Sequence, residues 1–249
     1  MIRTSQAGKA FALSILAGLI AGGMLVGINV ALVQPYTLAL AEIELENLLA
    51  EGEFDEFEYD AQLQSIYFLQ LYGSIVMGLA GGALVGSVFL VGKITMCPLK
   101  AALLIVAISW FVLYVIPIVK YPPSVEVMFD PEMAYSYQTR LAGYTAVSGL
   151  SALGIAHGFR KVKLKQKVYA AAALYLAMVA GAFFAFPDFQ SEDDQFLPQS
   201  ILSTWRSSIS LSITAFWFTL GVICGFLWSY GIKHMNNLSR ADLGSSTTT

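Results

Sequence analysis

Residues 10–33 read AFALSILAGLIAGGMLVGINVALV, an unbroken run without an Asp, Glu, Lys or Arg. A helix needs about 20 residues to cross ~30 Å of hydrocarbon, so this run is long enough to span a bilayer. Five further stretches of the same kind follow at 71–92, 101–119, 141–159, 168–186 and 209–232, again without Asp, Glu, Lys or Arg. Their length and unbroken apolarity select helices over barrel strands, which alternate in segments of roughly ten residues. Composition agrees: 57% of the residues are hydrophobic and 12% charged, with a mean hydropathy of +0.66. A soluble domain of ordinary usage is much less apolar. The expected fold is all-α, a bundle of about six transmembrane helices in a single domain over 1–240. An acidic external loop is expected at 34–70, its start at 41–49 able to continue the first helix as an amphipathic turn or two before Gly52, and a flexible tail at 241–249.

Charge orients this bundle. Alternating six spans places the N-terminus, the loops after the second and fourth helices, and the C-terminus on one side, with eleven bases and only Asp242 as an acid. The other side carries Lys120, Arg140 and Arg206 against 16 acids, a formal charge of −13. The positive-inside rule then makes both termini cytoplasmic in a plasma-membrane protein, and cations are enriched at the acidic outer face. The basic run Arg160–Lys167 reads as a topology determinant resting on anionic membrane lipid. It is short, lacks interleaved aromatics and lies between two spans, which argues against a nucleic-acid partner.

Arg3 and Lys9 before an apolar run, with Ala39-Leu40-Ala41 beyond it, resemble a secretory signal. The run over 10–33 is longer than a signal's apolar region, so the first helix is expected to stay uncleaved. Cys97 and Cys224 do not indicate a disulfide framework. Small residues at four-residue spacing let helices approach closely in lipid, and five such sets occur: Gly18/Gly22, Gly23/Gly27, Gly78/Gly82/Gly86, Gly154/Gly158 and Gly221/Gly225. Tyr144, Ser148 and Ser151 share one helix face, as do Ser203, Ser207, Ser210 and Thr214. Bonding to carbonyls of their own helix or a neighbour is the favoured reading over a polar conduit.

Two external loops look alike. One runs Lys120-Tyr121-Pro122-Pro123 through Asp130-Pro131-Glu132 to Arg140; the other runs Phe186-Pro187-Asp188-Phe189 through Glu192-Asp193-Asp194 and Pro198 to Trp205-Arg206. An arginine follows the first proline at nearly the same interval in both, Arg140 after Pro122 and Arg206 after Pro187. Each arginine stands at a helix N-terminus, where the dipole disfavours a cation. Pairing with loop carboxylates such as Asp130, Glu132 or Asp188 is the expected compensation, and it would pin the loops over the bundle mouth. The likeness, with Pro35 opening the first loop as well, suggests repeated two-helix units.

Together these loops make the chain resemble the CbtA family of predicted cobalt transporter subunits. The resemblance rests on Pro35-Tyr36-Thr37-Leu38 before the acidic Glu42 region, on Lys120-Tyr121-Pro122-Pro123 with Asp130-Pro131-Glu132 and Arg140, and on Phe186-Pro187-Asp188-Phe189 with Phe196, Pro198 and Arg206. Ser124-Val125-Glu126-Val127 and Glu192-Asp193-Asp194 depart from the family's proline-richer loops. The resemblance implies uptake of cobalt(II) as a transported ion and a small single-helix, histidine-bearing partner of the CbtB type.

Taken alone, the residues do not form a ligand cluster of the kind cobalt(II) prefers. His157 and His234 read as interfacial, and Met24, Met77, Met178 and Cys224 as space-filling. No span holds an acid, which weakens an autonomous pump. The candidate metal acceptors are therefore the entry carboxylates Asp130, Glu132 and Asp188, framed by Tyr121, Pro122, Pro123, Arg140, Pro187, Trp205 and Arg206. A nucleotide-binding glycine motif and hydrolase motifs are lacking, so neither an enzyme nor a permanently bound cofactor is expected. The alternative is a membrane scaffold or assembly protein that moves no solute.

Overall fold

The computed structural model describes residues 4–51, 56–92, 96–159, 167–189 and 197–245. The basic residues Arg160 to Lys165, the acids Glu192 to Asp194, Phe196 and the last four tail residues lie outside the described residues.

The described chain is all-α and runs as six continuous helical rods. α1 (Thr4–Ile28) passes through a π-helical turn (Asn29–Val33) into α2 (Gln34–Glu51), and α3 covers Glu56–Gly92. α4 (Pro98–Trp110) passes through a second π turn (Phe111–Val115) into α5 (Ile116–Lys120). A short 3-10 turn (Glu126–Met128) leads to α6 (Pro131–Gly158), followed by α7 (Lys167–Ala185) and α8 (Gln199–Ser245).

Among the described residues, five segments are long and apolar enough to cross a membrane: Gly8–Glu46, Gln64–Val91, Pro98–Lys120, Lys167–Ala185 and Gln199–Gly231. The sixth expected span, 141–159, lies in α6, which is helical but less apolar. Tyr144, Thr145, Ser148, Ser151, His157 and four glycines dilute its hydropathy, and Tyr144, Ser148 and Ser151 are buried. Large apolar side chains such as Leu16, Met24, Val30, Phe184, Phe218 and Phe226 stand exposed along the rods, as helices solvated by lipid require.

The expected loop at 34–70 is replaced by helix wherever it is described. α2 fills Gln34–Glu51 because Ala, Leu and Glu are strong helix formers and because Thr37, Leu40, Ala41 and Leu45 form a buried stripe. Glu42 and Glu46 remain exposed on another face. α3 begins at Glu56, well before the expected start at Leu71. At the other end of the chain α8 continues to Ser245, so helix reaches into the expected tail.

Proline explains the two π turns. Pro35 and Pro117 each stand six residues after the first residue of a π turn, and each lacks the N–H that the preceding turn would use. The helix answers by widening: Gln34 N–H bonds the Asn29 carbonyl and Ile116 N–H bonds the Phe111 carbonyl, five residues back.

The chain divides into two compact units: Met1–Pro35, Leu63–Ile108 and Ser207–Thr249 form one, and Tyr36–Gln62 with Ser109–Arg206 the other. In the first, α1 and α3 meet backbone to backbone. A methyl added to Gly22 would stand 2.9 Å from the Ser74 carbonyl oxygen and 3.2 Å from Gly78 Cα. Gly18 faces Gly78 and Gly82 in the same seam, while Gly23, Gly27, Gly154 and Gly158 have open space. Trp228 of α8 donates to Ser14 Oγ at 3.0 Å and stacks on Phe89 at 3.9 Å between ring centroids. A polar chain links three helices of this unit: Ser212 donates to Asn29 Oδ1, Asn29 Nδ2 to Ser74 Oγ at 3.1 Å, and Ser74 to the Gln70 carbonyl at 2.8 Å.

In the second unit, Val112, Tyr121, Tyr144, Ile155, Tyr175 and Val179 form a buried cluster. Ser148 donates to the Val112 carbonyl at 2.7 Å and bonds Tyr175 Oη at 2.7 Å. Val112 lies in the π turn: its α-register donor, Ile116 N–H, is given to Phe111, and its π-register donor would be Pro117. The Ser148 hydroxyl thus satisfies the carbonyl that proline leaves without a backbone donor. Ser203 and Thr214 instead bond carbonyls of their own helix, at Ser200 and Ser210.

Candidate functional site

The loop residues singled out in the sequence come together in the second unit. α5 ends at Lys120, and Tyr121 leaves the helix with its side chain fully buried. Its ring lies edge-on to Tyr144 and Tyr137, at 5.9 and 6.4 Å between centroids, and its hydroxyl donates to the Pro187 carbonyl at 2.8 Å. Tyr137 in turn donates to the Tyr121 carbonyl at 3.0 Å and packs against Phe189 at 5.0 Å. Burial raises the Tyr121 phenol above its ordinary pKa, partly offset by Lys120 and Arg140. Burial, with Tyr114 nearby, pushes Tyr137 up to about 12 against the opposing charge of Arg206. Both hydroxyls therefore remain donors through the neutral range.

The two arginines are exchanged between the loops. Arg140, expected at a helix N-terminus, lies well inside α6, whose N-cap is Asp130, and donates to the carbonyl of Asp188 at 2.8 Å, one residue past Pro187. Arg206 likewise lies inside α8, about two turns past its start at Gln199, and donates to the carbonyl of Pro123 at 2.8 Å, one residue past Pro122. The two segments thus make reciprocal contacts at matching positions. The sequence leads one to expect carboxylate acceptors, and Arg140 reaches Asp188 as expected but through its backbone carbonyl. At Asp188 the reason is visible: its carboxylate is held by Lys120. Next to this joint, Trp205 is buried and donates from Nε1 to Thr37 Oγ1 at 3.0 Å, fixing α8 to α2.

The three candidate metal acceptors have different circumstances. Asp130 caps α6, its Oδ1 accepting from the backbone N–H of Glu132 at 2.7 Å and of Met133 at 3.1 Å. Glu132 lies exposed in the first turn of that helix. Asp188 has 72% of its side-chain surface exposed, whereas the Lys120 side chain paired with it is 3% exposed. The Lys120 ammonium also sits 4.4 Å from the centre of the Phe183 ring. A cavity of about 280 Å³ opens beside this pair, lined by Met133, Ser136, Arg140, Asp188 and Phe189. Among the described residues no three His, Cys, Asp or Glu side chains are grouped to hold a metal ion. His157 is exposed, and Cys97 and Cys224 are free thiols, the first exposed and the second buried.

The family described as probable cobalt transporter subunit (CbtA) has a sequence model that matches residues 9–229. The chain belongs to the CbtA family. No curated protein and no solved structure matches it. The match takes in all of the loop residues described above and most of every helical rod. Membership places this chain in a family described as probable cobalt transporter subunits, which implies a non-enzymatic membrane protein. Sequence reasoning missed three parts of this arrangement in the CbtA-family chain: the burial of Lys120, the role of Tyr137 as a strut and the pairing of Trp205 with Thr37. One signal for the first was present, because Lys120 breaks the charge pattern at the end of an apolar span, directly before Tyr-Pro-Pro.

Proposed function

We propose that this chain is the membrane subunit of a cobalt(II) uptake system in the plasma membrane, with both termini cytoplasmic and its acidic loops on the side where the ion arrives. The observation that carries the reading is the CbtA family match over 9–229. The lopsided distribution of acids supports the direction, since a negative outer surface raises the local concentration of cations. Asp130, Glu132 and Asp188 serve as entry carboxylates, with Asp188 the principal one because it alone borders the cavity. A small single-helix, histidine-bearing CbtB-like subunit supplies the nitrogen ligands that this chain, with two histidines, is poor in.

Uptake of radioactive cobalt and nickel by cells expressing the chain, alone and with its candidate partner, tests this reading. Stimulated cobalt uptake is the expected result; none in either case favours a scaffold that moves no solute. That second reading draws on one observation, the lack among the described residues of a grouped set of metal ligands.

A further inference from the structure

We infer that Lys120 is a tethered cation occupying a cation site of its own chain at Asp188, and that a divalent ion binds this carboxylate only by displacing it. The inference rests on the reading of the outer loops as the ion's point of entry and adds the device that controls it. Burying an ammonium is unfavourable unless the surroundings replace its hydration. Here the replacement comes from the Asp188 carboxylate and the face of Phe183 at 4.4 Å. A carboxylate and an aromatic face are general receptors for positive charge. The pocket that holds Lys120 is therefore a cation site whose occupant arrives on the end of α5.

Asp188 has two sides. One meets the buried lysine, and the other belongs to the wall of the 280 Å³ cavity, so a second cation can reach the same carboxylate from outside. Arg140 fixes Asp188 through its backbone carbonyl, which leaves the carboxylate in place whichever cation it holds. With Lys120 seated, Lys120 and Arg140 against Asp188 leave a formal +1, and this repels a divalent ion. Withdrawal of Lys120 leaves Arg140 and Asp188 balanced. The carboxylate and the Ser136 hydroxyl that shares the cavity wall are then oxygen donors suited to a partly hydrated cobalt(II) or another divalent ion. The lysine thus makes binding conditional on its own movement, and it excludes ions that cannot compete for the carboxylate.

The test uses the full chain in lipid nanodiscs, with cobalt(II) binding measured by calorimetry. A neighbouring opposite charge is worth about one to three decades to a carboxylate, so Lys120→Gln is expected to bind at least about tenfold tighter than the native chain. Lys120→Arg, which keeps the charge, should bind like the native chain, and Lys120→Gln/Asp188→Asn should lose the gain. Equal affinity in native and Lys120→Gln proteins, or a gain that survives Asp188→Asn, overturns the inference. Should Lys120→Gln fail to fold, acetylation of Lys120 in the native chain gives the answer: cobalt(II) must speed its modification, and an unchanged rate refutes displacement. The two levels separate cleanly. Cobalt uptake without a Lys120 effect removes the tethered cation and keeps the transport reading, whereas Asp188-dependent tightening without uptake does the reverse.

Discussion

At the scale of single residues, the joint between the loops is built from donors that keep their protons. Tyr137 and Tyr121 bond across the loops through neutral phenols, and their pKa values are raised in the folded state. The linkage has a definite sign. A phenol with a raised folded pKa contributes stability that is fully present below its unfolded value of about 10 and lost as pH rises through the folded value. For Tyr137 the loss should fall between pH 10 and about 12. Tyrosinate absorbance in the purified chain should show a late-titrating phenol in that window, and Tyr137→Phe should remove it. The arginine exchange makes a second residue-scale prediction. Replacing Arg140 or Arg206 by Ala should each cost about 1 kcal/mol, a charged hydrogen bond weakened by partial exposure. The double variant should lose less than the sum, because the first change already frees the joint the second bond closes. Thermal unfolding of the four proteins measures the cycle.

At the scale of elements, proline and glycine decide how the rods are built and how closely they pack. Pro117 leaves the Val112 carbonyl without a backbone donor, and Ser148 supplies one from α6. Ser148→Ala should therefore cost about 1–2 kcal/mol, since a buried carbonyl in an apolar setting loses its partner. In a Pro117→Ala background the cost should shrink, because a restored N–H can serve that turn; unfolding midpoints of the single and double variants check it. In the α1–α3 seam, Gly22→Ala puts a methyl 2.9 Å from the Ser74 oxygen and should cost about 1–3 kcal/mol of overpacking. Gly23→Ala, one position along and facing open space, should be near neutral in the same assay. Both glycines look identical as four-residue patterns. Only the meeting of α1 with α3 separates the packing pair from the lipid-facing one.

At the scale of the whole molecule, orientation and transport are the open consequences of the charge pattern. Cys97 is exposed and follows the second rod, on the side expected to be cytoplasmic, while Cys224 is buried. A membrane-impermeant maleimide should leave intact cells unlabelled at Cys97 and label it once the membrane is opened. Labelling in intact cells would reverse the orientation and put the basic side outside. The loop carboxylates carry the matching functional expectation: Asp188→Asn should lower cobalt uptake more than Asp130→Ala, because Asp130 is engaged as a helix cap and Asp188 borders the cavity.

The sequence by itself determined the class of the molecule. Unbroken apolar runs long enough to cross the hydrocarbon admit only helices in a bilayer, because every backbone polar group must be satisfied within the segment. The joint residues were legible too: Tyr121, Pro122 and Pro187 stand at or just past helix ends, and Arg140 and Arg206 are isolated charges beside apolar spans, although both lie inside their helices and not at the N-termini expected. Element ends were less legible. The acids at Glu42 and Glu46 left the segment readable as loop or as an amphipathic extension of the first helix, and α2 is helical because Thr37, Leu40, Ala41 and Leu45 find a surface to bury against. Only the tertiary structure decided the partners. Which carbonyl Arg140 reaches, which hydroxyl rescues Val112 and which cation Asp188 holds depend on contacts between residues far apart in the chain. Local pattern carries backbone conformation, but it does not carry the choice among chemically equivalent acceptors that packing brings within hydrogen-bond reach.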